Sequence, residues 1–259
     1  MTLGAYGRGD RPIITCRDHI SGSELLSKWK KYSENIWYLY YGPYKIASRV
    51  WLSGKEYPKA KTLSEINSTY RWYFDYDNSL LYVYSESNPA SYYSDIEESM
   101  AVANVTVLIR NESYITIEDL DLRGGRYTVE ILGSDHITIE NCNIGLDAGH
   151  IGIWVSGLPE SKKTSNYGII RNCVIDCGCR FRYYNEKAQT EDGIHLRDGA
   201  NYWGIYENTI IDWGHTCIGL SQFDENMTVS YNVWGMSGSS ERNEEFGRSV
   251  SEGTYPPVK

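Results

Sequence analysis

Apolar and polar positions in the second half of the chain alternate in a short pattern that closes each time on Asp or Asn. It reads Ile115-Thr-Ile-Glu-Asp119, Ile137-Thr-Ile-Glu-Asn141, Gly168-Ile-Ile-Arg-Asn172, Gly204-Ile-Tyr-Glu-Asn208 and Thr228-Val-Ser-Tyr-Asn232. A second alternating run recurs between these: Thr128-Val-Glu-Ile131, Ile151-Gly-Ile-Trp-Val155, Gly193-Ile-His-Leu196 and Cys217-Ile-Gly-Leu220. Alternation of this kind marks half-buried strands. A repeat in the low twenties with irregular additions marks a solenoid whose coils each carry several short strands. The additions fall between strands, so loops on one side vary while the coil core stays constant. The expected fold is all-β, a single solenoid domain over residues 1–259 with about six or seven coils.

The regular coils occupy residues 100–235. Residues 1–20, turn-rich and ending in the apolar Pro12-Ile-Ile-Thr-Cys16, read as an early coil. Residues 21–99 break the period. Ser23 is placed to cap a short helix through Tyr32, and aromatic-rich strands follow: Ile36–Tyr41, Arg49–Leu52, then 70–75 and 80–84 around the turn cluster Tyr76-Asp-Asn-Ser79. The last pair predicts an antiparallel hairpin that Asn88-Pro89 ends. This stretch reads as a β-rich aromatic insertion. Beyond 235 the pattern decays into a polar, irregular tail.

The recurring Asp or Asn suits a sharp turn, where its side chain bonds the backbone of its own coil and the next. The expectation is one stacked ladder of Asp119, Asn141, Asn172, Asn208 and Asn232. The inward column is expected to hold Val129, Ile151, Ile194 and Ile218.

Composition narrows the partners. Among 259 residues, 41% are apolar and 14% aromatic, with 23 Tyr and 8 Trp against 4 Phe. Tyr and Trp join an apolar body to a polar edge, which suits both strands and sugar contacts. A net charge of −9 argues against a nucleic-acid partner, which calls for a basic stripe. There is no apolar run long enough to span a membrane, and Met1-Thr-Leu-Gly-Ala-Tyr-Gly lacks the basic and apolar regions of a secretory signal. The six Cys are too sparse for a disulfide framework. Cys142 and Cys173 follow the turn residue in successive coils and read as small core residues, while Cys177-Gly-Cys179 lacks the spacing of a zinc knuckle.

Alternation assigns one face of the second strands its outward residues: Thr128 and Glu130; His150, Gly152 and Trp154; Glu191, Gly193, His195 and Arg197; His215, Cys217, Gly219 and Ser221. Three of the five His therefore meet on one face, with Glu191, Asp192, Arg197, Asp198 and Trp154 around them. The long connection from Asp176 to Thr190 brings Arg182 and Lys187 alongside. His195 is the candidate base, Arg197 the partner for a substrate carboxylate, Glu191 the group that orients or charges His215, and Asp192 a further carboxylate. Trp154 is the stacking platform, with His150, Asp198, Arg182 and Lys187 as substrate contacts. No metal is assigned; calcium on Asp147, Glu191, Asp192 and Asp198 is left open, and the three His are scattered over three coils. A polar solvated face is the competing reading.

These repeats, with the opening Gly4-Ala-Tyr-Gly-Arg-Gly-Asp-Arg-Pro-Ile-Ile14, resemble the right-handed parallel β-helix of the pectate-lyase-like superfamily. The resemblance covers about 1–20 and 100–235. It implies a secreted or cell-surface carbohydrate-active protein, since the superfamily holds polysaccharide lyases, glycoside hydrolases, epimerases, phage tailspikes and binding modules. The open ends of a β-helix call for caps, and no amphipathic helix precedes the first coil, so a piece of a longer chain is expected. Thr190-Glu-Asp-Gly-Ile-His195 also resembles the Asn-Thr-Asp-Gly segment of polygalacturonase-like hydrolases. Where that family continues Asp-Asp-Cys-Ile, this chain has His215-Thr-Cys-Ile218, without the paired carboxylates an inverting hydrolase needs. Two functions are carried forward. The first is a lyase or glycoside hydrolase acting on a polysaccharide laid across the parallel strands. The second is a non-catalytic glycan-binding or structural, tailspike-like module, stacked on further coils or end to end on itself.

Overall fold

The computed structural model describes residues 1–42, 47–67, 71–100, 104–178, 192–220, 226–234 and 248–250. The chain divides into two compact units: Met1–Cys16 with the chain from Val105 on, and Arg17–Asn104.

The larger unit is a parallel β-helix built of three six-stranded sheets. The first sheet stacks Thr2–Gly4, Ser113–Glu118, Asp135–Glu140, Ile169–Arg171, Gly204–Tyr206 and Thr228–Ser230. The second stacks Ile13–Cys16, Asp121–Gly124, Asn143–Leu146, Val174–Asp176, Thr209–Ile211 and Val233–Trp234. The third stacks Val105–Arg110, Tyr127–Leu132, Ile151–Ser156, Asp192–Arg197 and Thr216–Leu220, all parallel. Thr2–Gly4 and Ile13–Cys16 thus pair in parallel with strands of the coil that begins at Ser113. Arg248–Val250 adds an antiparallel strand against Thr216–Leu220; the rest of the tail expected beyond 235 lies outside the described residues.

Each sheet points apolar rows inward. Ile117, Ile139, Ile170, Ile205 and Val229 stack in the first sheet, and Ile14, Leu122, Ile144, Ile175 and Ile210 in the second. Every fully buried Ile removes enough apolar surface to contribute about 1.5–3 kcal/mol. Cys142 and Cys173 are buried in this core as expected, each donating its thiol to a nearby carbonyl at 3.2 Å. Glycine makes room for two buried tryptophans. A Cβ at Gly168 would fall 2.3 Å from the Trp203 ring, and one at Gly145 2.6 Å from Trp213.

The inward column of the third sheet needs one correction. Val129 pairs with Ile153, then Ile194 and Ile218; Ile151 pairs with Tyr127. Ile151 is buried too, so a two-residue offset keeps the face while changing the neighbour.

A second correction concerns the turn ladder. Asp119, Asn141 and Asn172 follow the register partners Glu118, Glu140 and Arg171 and share left-handed backbone at φ 57, 53 and 52. Gly204, however, pairs with Ile169 rather than Gly168, so Asn208 and Asn232 fall one place later, in register with Cys173. They are buried (1% and 0% exposed), while Asn141 and Asn172 are exposed.

The smaller unit holds two four-stranded sheets. The hairpin appears as Trp72–Asp75 against Leu80–Tyr84, with Ile36–Tyr40 on the outer side of the latter. The helix expected over residues 23–32 is only the short turn Ser23–Leu25, followed by a strand at Lys30–Lys31. Ser23 caps nothing there, since the residue before the turn is Gly22 and no side chain accepts. Trp29, Trp72 and Phe74 are buried in the unit's own core.

Candidate functional site

The third sheet carries the outward row Glu130–Trp154–His195–Gly219, one residue per coil in strict register. Coils in such a stack lie about 4.8 Å apart. The Trp154 ring sits 5.0 Å from the His195 ring and stacks on Tyr127 at 5.2 Å with 10° between planes. The Arg197 guanidinium lies 5.9 Å over Trp154, and its Nε donates to Asp198 at 2.7 Å.

Asp192 is the hub. Its carboxylate is 1% exposed. One oxygen accepts from His195 Nδ1 at 2.5 Å; the other accepts from His215 Nδ1 at 2.9 Å, Thr216 Oγ1 at 2.7 Å and Thr216 N at 3.1 Å. Burial opposes its ionisation, but the hydrogen bonds donated by the two imidazoles hold it well below the usual carboxylate range. An ionised carboxylate only accepts, so both Nδ1 atoms carry protons and both imidazoles are turned the same way. Gly219 is part of the arrangement: a Cβ there would stand 3.1 Å from both Asp192 Oδ2 and His195 Nδ1.

His150 is partly buried, its ring 6.1 Å from that of Tyr127. Burial, helped by the Arg126 charge, pushes its imidazole down to about 4. Half burial raises the Glu130 carboxyl above its ordinary range against the pull of Arg126 and Arg110.

Most of the sequence-predicted group is therefore brought together: His195, Asp192, His215, Trp154, Arg197, Asp198 and His150. Glu191, Arg182, Lys187 and Ser221 lie outside the described residues. Three expectations change. The carboxylate that orients His215 is Asp192, one residue from the Glu191 first given that role. Gly152, Gly193 and Cys217 do not face solvent; all are buried, and a Cβ at Gly152 would run into Gly193 O and Trp213, one at Gly193 into Ile210 and Cys217 O. His195 itself is 6% exposed. Tyr127 and Thr216 were missed, while Gly219 was placed on this face without a role. Aligning the coils on Ile131, Val155, Leu196 and Leu220, which pair in the structure, would have found Tyr127.

The three His form no metal cluster with nearby acids among the described residues. The group close enough to share an ion is His19, Asp95 and Glu97 of the smaller unit. There His19 bonds Asp95 at 3.1 Å, Ser21 bonds the same carboxylate, and Arg17 pairs with Glu97 at 2.8 Å.

The family description "right handed beta helix region" matches residues 105–239, just over half of the chain, and covers the sheets that carry this row. The chain belongs to the right-handed β-helix family. The solved structure titled "The complex structure of XylC with xylose" resembles it with a TM-score of 0.60 at 14% identity, over 92% of this chain. The chain spans 51% of that structure's length. No curated protein matches the sequence. At this identity the likeness concerns the β-helix fold alone.

Proposed function

We propose that this β-helix protein acts on a polysaccharide laid along the solenoid axis over the row Glu130–Trp154–His195, by eliminative cleavage of a uronate-containing chain. The observation that carries the reading is the buried Asp192 carboxylate, which accepts from His195 Nδ1. With the proton on Nδ1, Nε2 holds the lone pair and is the basic atom. In this reading Nε2 takes the proton on the carbon next to the uronate carboxylate. The electron pair forms a carbon–carbon double bond as the neighbouring C–O bond breaks, and the departing oxygen takes a proton from water. Arg197 faces the carboxylate on which negative charge builds up, and the Trp154 ring supports the sugar plane. The sugar complex of the structural neighbour supports a carbohydrate ligand for this fold, and a glycan substrate fits an extracellular or cell-surface location.

One observation favours the second reading, a non-catalytic glycan-binding module: at 6% exposure, the His195 ring reaches substrate only if its surroundings open. Incubation with a polysaccharide panel separates the two, monitored by ultraviolet absorbance for an unsaturated product and by reducing ends. The lyase reading expects absorbance to grow with a polyuronate and to vanish in His195→Ala/Arg197→Ala. Reducing ends without absorbance would replace elimination by hydrolysis. Tight binding with neither signal would leave the binding module.

A further inference from the structure

The outward side of the first sheet carries a separate arrangement. Tyr114, His136, Tyr167 and Tyr202 occupy one place in four successive coils, with ring centroids 4.5, 5.2 and 4.9 Å apart and planes within 20°, 32° and 17°. Tyr114, Tyr167 and Tyr202 are 69%, 52% and 45% exposed. All four residues sit in left-handed backbone, φ 58, 55, 58 and 59. Bulky side chains are rare there and costly. The matching turn on the far side of the same strands uses Asp119, Asn141 and Asn172, which tolerate that conformation. Extending the Gly204–Thr228 register puts Asn226, at φ 56, next in the aromatic column. The turn itself therefore does not call for a ring. Stacking offsets part of the strain, and the ring edges and hydroxyls stay at the surface.

Beside this ridge, Thr116, Thr138, Ile169 and Gly204 form a shallow floor in register. The far margin carries Glu118 and Glu140, with Arg171 donating to Glu140 at 2.7 Å. A hollow of about 450 Å³ opens there, lined by Glu118, Asp119, Glu140, Asn141 and Asn172.

We propose that this face is a second carbohydrate contact, taking an extended neutral glycan along the solenoid axis between the aromatic ridge and the acidic margin. Ridge, floor and margin all recur once per coil, about every 4.8 Å, which fits a polymer of repeating units running along the axis. The ligand is neutral because Glu118, Asp119 and Glu140 on this face repel a polyanion. It is not a peptide adding as a strand, because the surface is the face of a sheet whose backbone is paired between coils. Sugar hydroxyls match the carboxylate, amide, threonine and tyrosine oxygens, and sugar oxygens match the positive ring edges. This proposal does not depend on the chemistry at His195.

The test is calorimetric titration with linear xylo- and cello-oligosaccharides, with polygalacturonate as the acidic comparator. The wild type is expected to bind a neutral oligosaccharide. Tyr167→Asn/Tyr202→Asn should weaken that binding roughly tenfold or more, with an unchanged melting temperature because Asn accepts the left-handed turn. Should that variant unfold, Tyr167→Phe/Tyr202→Phe keeps the stack and must still lose several-fold affinity as the hydroxyls go. Failure of the wild type to bind any neutral glycan overturns the proposal. So does equal binding by the ridge variants, or loss of binding confined to His195→Ala/Arg197→Ala, which would put the glycan on the other face.

Discussion

Asn172 and Asn208 stand at the same place in the sequence motif and live in opposite surroundings. Asn172 is exposed at a left-handed corner. Asn208 is buried and bonds in three directions: its Oδ1 accepts from Cys173 N at 3.0 Å, its Nδ2 donates to Ile170 O at 3.0 Å, and it also donates to Asn232 Oδ1 at 2.9 Å. Asn232 repeats the pattern by donating to Ile205 O at 2.8 Å. The exposed column is looser: Asn141 donates to Asp119 and accepts from Arg11 at 2.8 Å. One residue of register separates the two columns. In a β-helix that shift carries a side chain from the solvent corner into the core, where the same amide becomes a staple between coils.

The largest test of this contrast is Asn208→Ala. It strands Cys173 N and Ile170 O in the core, while Asn232 Oδ1 keeps the backbone N–H of residue 208 at 3.0 Å, so a loss of about 2–3 kcal/mol is expected from chemical denaturation. A loss no greater than that of an exposed control would break the comparison.

An intermediate effect extends it to ionisable groups. With its imidazole pushed down to about 4, His150 stays neutral in the folded chain where the unfolded chain is protonated. Its contribution is complete above about pH 6.5 and is lost as pH falls toward 4, on the order of 1–2 kcal/mol. Denaturation of the wild type between pH 7.5 and 4.5 should show that decline, and His150→Gln should flatten it. Parallel curves for the two proteins would mean that His150 is as well solvated as an exposed imidazole.

The smallest effect belongs to Asn172→Gly, which keeps the left-handed turn and removes only the side chain. A change within about 0.5 kcal/mol is expected from thermal or chemical unfolding. A loss matching that of Asn208→Ala would mean that the exposed column staples the coils as firmly as the buried one.

Much of the candidate site was legible because alternation is a local property. His195, Trp154 and Arg197 sit on the predicted face, and Asp192 and His215 come with them. What local alternation cannot supply is the offset between coils when loops of different length intervene. Ile151 in place of Ile153, and Gly204 matched to Gly168 instead of Ile169, are both errors of that kind. The Tyr127–Trp154 stack and the aromatic ridge were missed for the same reason, since each exists only between residues brought together by the coil stacking. The short turn at Ser23–Leu25 is a different failure, in which strand pairing at Lys30–Lys31 overrides a local helix signal.

By itself the sequence determined the class of fold, because the period of two and the recurring turn are written into consecutive residues. It also determined which strands face a common core, since inward positions must be apolar to be buried. Only the tertiary structure decided which coil residue meets which, and hence that Asp192 holds both imidazoles, that His195 lies beneath the surface, and that four aromatic rings line one corner. Those facts depend on the register between stacked strands, which is set by the packing of the whole core, including Trp203 over Gly168 and Trp213 over Gly145.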